Sequence, residues 1–196
     1  MSDADSWNQR YVEGRTGWDL GAPPPALVRI LHATPPTPKA LRVLVPGAGR
    51  GLDAIAWAQA GHEVVAIDFA PLAVAAMREH TAARGIAMEV LQADIFQLPQ
   101  AFAGTFDRVW EQTCFCAIPV ERRADYVRAM ATVLRPGGRL VGLLWNHGKE
   151  GGPPFDVRRE DVEALFPPLF TVESIEAVPD SVAGRTPELL VELRKS

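Results

Sequence analysis

The sequence predicts an α/β protein: a doubly wound, seven-stranded, mostly parallel sheet with an N-terminal helical lid. Three observations predict it. Short apolar runs rich in β-branched residues alternate with amphipathic helical stretches. A glycine loop opens directly after the first of these runs, and a carboxylate closes the second. Two of the five tryptophans stand close to the N-terminus, ahead of the first strand and set off from it by prolines.

The organising stretch is Leu41 to Asp68. Leu41, Val43, Leu44 and Val45 form a run suited to a strand buried on both faces. Gly47, Gly49 and Gly51 allow a sharp turn and a close approach of backbone to ligand. Leu52, Ile55 and Ala56 give the next segment a helical apolar face. Val64 to Ile67 is the second strand, and Asp68 ends it about 20 residues after the first loop glycine, where a carboxylate can accept from ribose hydroxyls. A dinucleotide fingerprint needs a third glycine, and Leu52 stands in its place. A tight strand-to-helix turn with no ligand is the plainer reading of the same glycines.

Ahead of this unit, Trp7, Tyr11 and Arg10 fall on one side of a short helix, and Trp18-Asp19 lies in a loop. These aromatics either pack on the domain surface or form a lid over a cationic ligand. Ala26 to His32 is a short helix, and Thr34 to Pro38 a proline-rich connector, so residues 1–38 read as lid and connector and 39–196 as the main domain. After Asp68, Pro71 sits at the start of a helix reaching Arg84. Strands follow at about 87–92 and 105–110, then a helix from Glu121 to Leu134 ended by Pro136-Gly137-Gly138, and a strand from Leu140 to Trp145. A helix at about 159–165 and strands near 170–178 and 189–193 close the chain, so that strand and helix alternate five times before the last two strands. Asp94 and the segment Glu111-Gln112-Thr113 lie at strand exits, the edge where open α/β sheets bind ligands. For Asp94, a turn cap is the commoner role.

Composition narrows the function. The formal net charge is -4 and there is no Lys/Arg run, which disfavours binding to a nucleic-acid backbone. No apolar run approaches a membrane span, and the N-terminus lacks the apolar core of a signal peptide, so a cytoplasmic protein is expected. Cys114 and Cys116 are too close in an extended segment for an ordinary disulfide, and with His147 they lack the fourth ligand of a metal site. No metal is expected. The partner is a small molecule, the chain a monomer or small homo-oligomer.

Five motifs in order, VLVPGAGRG (43–51), VVAID (64–68), ADIF (93–96), WEQTCFCAIP (110–119) and LRPGGRL (134–140), resemble class I S-adenosylmethionine-dependent methyltransferases, with their Rossmann-like fold. Within that superfamily the chain is similar to the thiopurine S-methyltransferase family, and especially to its halide/thiol branch. The carriers are WNQRYVEGRTGWDLGAPPPAL at the N-terminus, Pro46 where most relatives have an acidic residue, FCAI at 115–118 and GGPPF at 151–155. The resemblance implies S-adenosyl-L-methionine as cofactor. It implies Gly47, Ala48 and Gly49 beside the methionine portion, Asp68 with Phe69 at the ribose, and Asp94 with the Ile95 backbone at the adenine. Trp7, Tyr11 and Trp18 would cover the cofactor, and Glu111 and Gln112 would lie near its amino-acid end. Gln112 departs from the family, whose members commonly have Arg or an aromatic there.

Methyl transfer from a sulfonium needs alignment of nucleophile, methyl carbon and leaving sulfur in a dry enclosure, here expected from Trp7, Tyr11, Trp18, Phe115 and Trp145. Trp18, Phe115 and Arg10 are the positioning candidates, and Arg10 or Arg15 could attract an anion. A thiol is partly ionised at neutral pH and halide always is, so no general base is required. The expected acceptor is therefore a thiol or halide. Selenium or tellurium species, other small molecules, and a non-catalytic cofactor-binding protein are the alternatives. A dehydrogenase would need glycine near Leu52, and a nucleic-acid amino-methyltransferase a different motif after the fourth strand.

Overall fold

The computed structural model describes residues 4–33 and 40–196. The proline-rich connector and the expected boundary between 38 and 39 fall outside the described residues. The elements run α1 (Ala4–Val12), α2 (Pro25–Ala33), β1 (Arg42–Pro46), α3 (Leu52–Gln59), β2 (Glu63–Asp68), α4 (Pro71–Ala83), β3 (Glu89–Gln92), β4 (Phe106–Gln112), α5 (Arg123–Val133), β5 (Leu134–Trp145), α6 (Arg159–Leu165), β6 (Phe170–Ala177) and β7 (Glu188–Lys195).

The seven strands form one sheet in the order β3-β2-β1-β4-β5-β7-β6. β3, β2, β1, β4 and β5 pair in parallel, while β7 is antiparallel to both β5 and β6. The sheet is thus doubly wound and mostly parallel, as the alternating pattern predicts. Strand order reverses between β1 and β4, which opens a crevice at their carboxyl ends.

Side-chain alternation explains why these strands read as continuous apolar runs. Leu44, Val65, Ile67, Val109, Leu140 and Leu144 enter one core, with Tyr126 and Met130 of α5, Val162 of α6 and Phe166 just after it. Val43, Val45, Val64, Ala66, Trp110, Val141 and Leu143 enter the other, with Leu27 of α2, Trp57 of α3 and Met77 of α4. Both faces of the sheet are covered, so neither parity of a central strand can be polar.

Three local expectations are corrected. No helix joins β3 to β4: only a 3-10 turn at Gln100–Phe102 does, because Leu98-Pro99 interrupts any helical period. Pro136-Gly137-Gly138 does not separate α5 from β5, since Leu134 already pairs with Phe106 and the ladder shifts register before Arg139 meets Arg108. Glu111 and Gln112 belong to β4 itself rather than to its exit.

The N-terminal segment docks on the main domain through α1. Asn8 Oδ1 accepts from the Leu72 amide at 2.9 Å, at the start of α4, a helix with Pro71 in its first turn and no side-chain cap from its own N-cap residue. Among the described residues no helix is long and apolar enough to cross a membrane.

Gly142 of β5 lies against Glu111 of β4, and a Cβ there would come within 2.6 Å of the Glu111 carbonyl oxygen. Gly142→Ala should therefore cost about 1–3 kcal/mol through overpacking. Gly17→Ala, with open space around it, should stay within about 0.5 kcal/mol of the parent. Urea denaturation compares them; equal midpoints would show that the strand pair yields without cost.

Candidate active site

The crevice at the β1/β4 switch opens into a cavity of about 430 Å³. Its floor holds Gly47, Asp68, Phe69, Asp94 and Ile95, from the exits of β1, β2 and β3. Its roof is the N-terminal segment, with Trp7, Arg10, Tyr11 and Trp18. The far wall carries Cys116, Ile118, Trp145 and Arg185. A smaller recess lies beside it, lined by Trp18, Asp19, the 47–53 loop, Gln112 and Thr113. Trp18, Gly47 and Thr113 border both.

Asp68 is almost wholly buried and holds the loop in shape. One carboxylate oxygen accepts from the Gly49 amide and the other from the Ala70 amide, each at 2.9 Å. Burial pushes its pKa up, and the backbone N–H groups oppose that shift. A carboxylate has about four lone-pair sites, so it can accept further bonds from the cavity side. The glycines answer to the protein first. A Cβ on Gly47 would stand 2.8 Å from Cys114 Sγ, and one on Gly51 would meet Met77 Cγ at 2.5 Å; all three loop glycines have positive φ. At Gly47 and Gly51 neighbouring side chains already require glycine, in addition to any approach of a ligand at Gly47.

Asp94 lines the cavity and also turns the chain: its Oδ1 accepts from the Phe96 amide at 2.9 Å. Trp7 and Tyr11 both pack edge-on against Trp18, with centroids 5.2 and 5.5 Å away, and the Trp18 indole N–H donates to the Tyr11 hydroxyl at 3.3 Å. Burial, with the Asp68 charge second, raises the Tyr11 pKa, so that hydroxyl stays protonated. Arg10 lies over Trp7 at 4.5 Å. Arg15 reaches the cavity mouth but pairs with Glu13 at the surface. Asp19 pairs with Arg50 at 3.2 Å, tying the lid to the glycine loop.

Two expected site residues are not on the cavity. Phe115 is fully buried and packs against Tyr126 and Phe166 in the core beneath the sheet. Glu111 is 1% exposed, and its carboxylate is engaged by the Cys114 and Phe115 amides and the Tyr126 hydroxyl. Glu111 was expected at the strand exit and Phe115 in the aromatic enclosure; β4 runs on to Gln112, and the 3-10 turn after it carries Phe115 into the core. Gln112 does reach the smaller recess, together with Ala48.

Arg185 is the residue that sequence reasoning missed. It is 4% exposed, lies 4.9 Å over the Trp145 ring and donates to the Trp18 carbonyl at 2.9 Å. Among the described residues it forms no ion pair, although its charge acts on Glu188 and Cys116. Nothing in the isolated stretch Gly184-Arg185-Thr186 signals this, because the contact spans 167 positions of sequence. Cys114 and Cys116 are free thiols at the cavity wall, and burial pushes Cys116 up to about 12 and Cys114 well above the ordinary thiol value.

With this geometry in hand, comparison with known proteins decides the family. The model of the thiopurine S-methyltransferase family matches residues 2–189. The chain belongs to that family. It is 32% identical to a probable thiol methyltransferase 2 of Arabidopsis thaliana, over 93% of this chain and 81% of that one. It is 31% identical to a thiopurine S-methyltransferase of Xanthomonas campestris pv. campestris, over 89% of this chain and 86% of that one. The fold is shared with Burkholderia thailandensis 1,6-didemethyltoxoflavin-N1-methyltransferase, solved with S-adenosylhomocysteine bound, at a TM-score of 0.76 and 23% identity over 98% of this chain and 87% of that one. The protein is an S-adenosylmethionine-dependent methyltransferase. The cavity fits that cofactor: a partly free carboxylate at the β2 exit, a glycine loop with no phosphate-binding third glycine, and aromatic rings suited to a sulfonium.

Asp53 in the first turn of α3 accepts from the Trp110 indole at 2.7 Å, and burial raises its pKa to about 7; burial also raises Glu111 to about 7. A carboxyl whose folded pKa exceeds its unfolded value stabilises fully below the unfolded pKa and loses that contribution as pH rises to the folded one. Stability should therefore fall between about pH 4 and pH 7 from these two groups, then level off. Asp53→Asn combined with Glu111→Gln should flatten that slope in urea titrations; an unchanged slope would place the sensitivity elsewhere.

Proposed function

We infer that the enzyme transfers a methyl group to a small, soft, anionic nucleophile, a thiolate or halide. The observation that carries this is Arg185: a buried guanidinium stacked on Trp145 at the cavity wall, which among the described residues makes no direct ion pair and feels the Glu188 carboxyl only at longer range. Burying a charge with no direct ion pair is costly, and an anion entering the cavity relieves that cost. The sizes agree with it. A cavity of about 430 Å³ sits near the lower end of the roughly 300–1,000 Å³ range for drug-sized ligands, and the cofactor is itself of that size. What remains suits a small acceptor. The thiol and thiopurine specificities in the relatives' names point the same way.

When bound, S-adenosylmethionine supplies an electrophilic methyl group on a positively charged sulfur. Asp68 would accept from its ribose, Asp94 and the Ile95 backbone would meet the adenine, and Gly47 to Gly49 with Gln112 would flank the amino-acid end. Trp7, Tyr11 and Trp18 would close over the sulfonium as the cover formed by α1 and the loop that follows it. Their rings exclude water, which otherwise stabilises separated charges and slows an anion–cation reaction. Arg185 orients the anion, and alignment of this kind contributes roughly 7–11 kcal/mol to catalysis. The acceptor arrives ionised, so no side chain has to remove a proton. The protonated Cys114 and Cys116 do not compete as nucleophiles. Two free cysteines also suit a reducing, cytoplasmic setting.

Incubation with S-adenosylmethionine and iodide, bisulfide, thiocyanate or an aromatic thiol, followed by mass spectrometry, should yield the methylated product. Cofactor binding with no transfer to any soft anion would sink this reading. Arg185→Met should raise KM for the anion about 10-fold or more, in keeping with the 1.5–3 kcal/mol of a charged hydrogen bond, while leaving cofactor affinity nearly unchanged. Asp68→Asn should weaken cofactor binding by about 1.5–3 kcal/mol; wild-type affinity in calorimetry would refute the ribose assignment.

A further inference from the structure

The exit of β4 holds a conformational singularity. Thr113 has φ 61, and it is the one residue other than glycine with positive φ among the described residues. For a β-branched side chain this backbone state is unfavourable, and such strain persists only where surroundings enforce it. Thr113 borders both the main cavity and the recess beside it.

What enforces it lies two residues earlier. Glu111 Oε1 accepts from the Cys114 amide at 3.0 Å and the Phe115 amide at 2.8 Å, folding the chain back over Thr113. Oε2 accepts from the hydroxyl of Tyr126 on α5, which is itself 0% exposed. Gly142 of β5 provides the space in which the Glu111 side chain starts. Three elements thus converge on a single buried carboxyl. The turn it fixes has two ends with different neighbours: Cys114 Sγ packs on Gly47 of the cofactor loop, whereas the Arg185 charge acts on Cys116. The turn therefore spans from the cofactor's side of the cavity to the acceptor's.

We propose that Glu111, held by Tyr126, is a positioning residue for methyl transfer, setting the Thr113–Cys116 turn that registers the acceptor against the cofactor. It touches neither ligand. The proposal rests on the methyltransferase reading above and assigns Glu111 a different place from the cofactor's amino-acid end. Burying this carboxyl is unfavourable in itself, and a hydrophobic residue would pack there without that cost. A carboxyl that accepts from two amides of the turn and from a hydroxyl on α5 ties that turn to the helix, which an apolar side chain could not do. The titratable groups facing it are Tyr126 on α5 and Cys114 and Cys116 on the turn, all protonated near neutrality.

The test compares Glu111→Gln, Glu111→Ala and Tyr126→Phe with the parent. Glutamine keeps an oxygen for the two amides and should retain kcat within about 5-fold. Alanine removes it and should lower kcat about 100-fold, the scale of a 1 Å misplacement, with cofactor Kd changed less than about 3-fold. Tyr126→Phe should fall between them. A raised cofactor Kd with kcat preserved would overturn the proposal in favour of direct cofactor contact. A lowered melting temperature with parental kcat would overturn it in favour of a purely structural role. A second readout does not need turnover. In a Cys116→Ser background, Glu111→Ala should speed labelling of Cys114 by a thiol reagent at least 10-fold under native conditions, and Glu111→Gln should not. If the parent methylated no acceptor, the functional reading would fail, while the labelling rates would still judge whether Glu111 holds the turn; equal rates would refute it.

Discussion

The Asp68 carboxylate accepts from the Gly49 amide on one oxygen and the Ala70 amide on the other, and the site is built outward from those two bonds. They fasten the loop that leaves β1 to the beginning of α4, across the gap between two neighbouring parallel strands. With the loop fixed, Gly47 lies against Cys114 and Gly49 lies beneath the Tyr11 hydroxyl, which would stand 3.3 Å from a Cβ there. The β4 exit and the N-terminal helix are thereby referred to the same short piece of backbone. Loss of the carboxylate would leave two buried amides without acceptors, a penalty of about 1–3 kcal/mol each, and would free the loop that everything else leans on.

The site is assembled from residues that serve structure and chemistry together. Asp68 shapes a loop with oxygens that also border the cavity, and Asp94 turns the chain while lining the same cavity. Helix α1 and the Trp18 loop are held by polar and ring contacts rather than by a buried apolar face, since α1 has no fully buried residue, whereas α2 anchors Leu27 in the core. Asp19 meets Arg50, the Trp18 carbonyl meets Arg185, and the rings of Trp7, Tyr11 and Trp18 stack edge-on above the floor. No core residue of the described chain lies on α1.

Legibility in the sequence followed the range of the interaction. The β1-loop-β2 unit could be read because its apolar runs, glycines and Asp68 are local and carry the period of their own secondary structure. The sheet could be read because both faces are covered, which leaves continuous apolar strands. The failures have one physical origin. Whether Glu111 points to ligand or to core depends on a two-residue extension of β4 and on Tyr126, fifteen positions away, which no local pattern encodes. Phe115 follows it inward for the same reason. Arg185 was invisible because its meaning comes entirely from Trp18 and Trp145, distant in sequence. The strained backbone of Thr113 likewise has no compositional mark.

The bond from the Leu72 amide to Asn8 gives the N-terminal segment a reach beyond its own contacts. Helix α4 supplies no side-chain cap of its own, so its first turn is completed from outside, by a residue that belongs to the cover. Capping bonds of this kind are worth about 0.5–2 kcal/mol. Undocking α1 thus frays the beginning of α4, the very turn whose Ala70 amide grips Asp68. By reciprocity, whatever steadies that turn from within the cavity draws α1 down by the same free energy. Any loosening of α1 would thus be felt at the floor of the cavity through a borrowed helix cap.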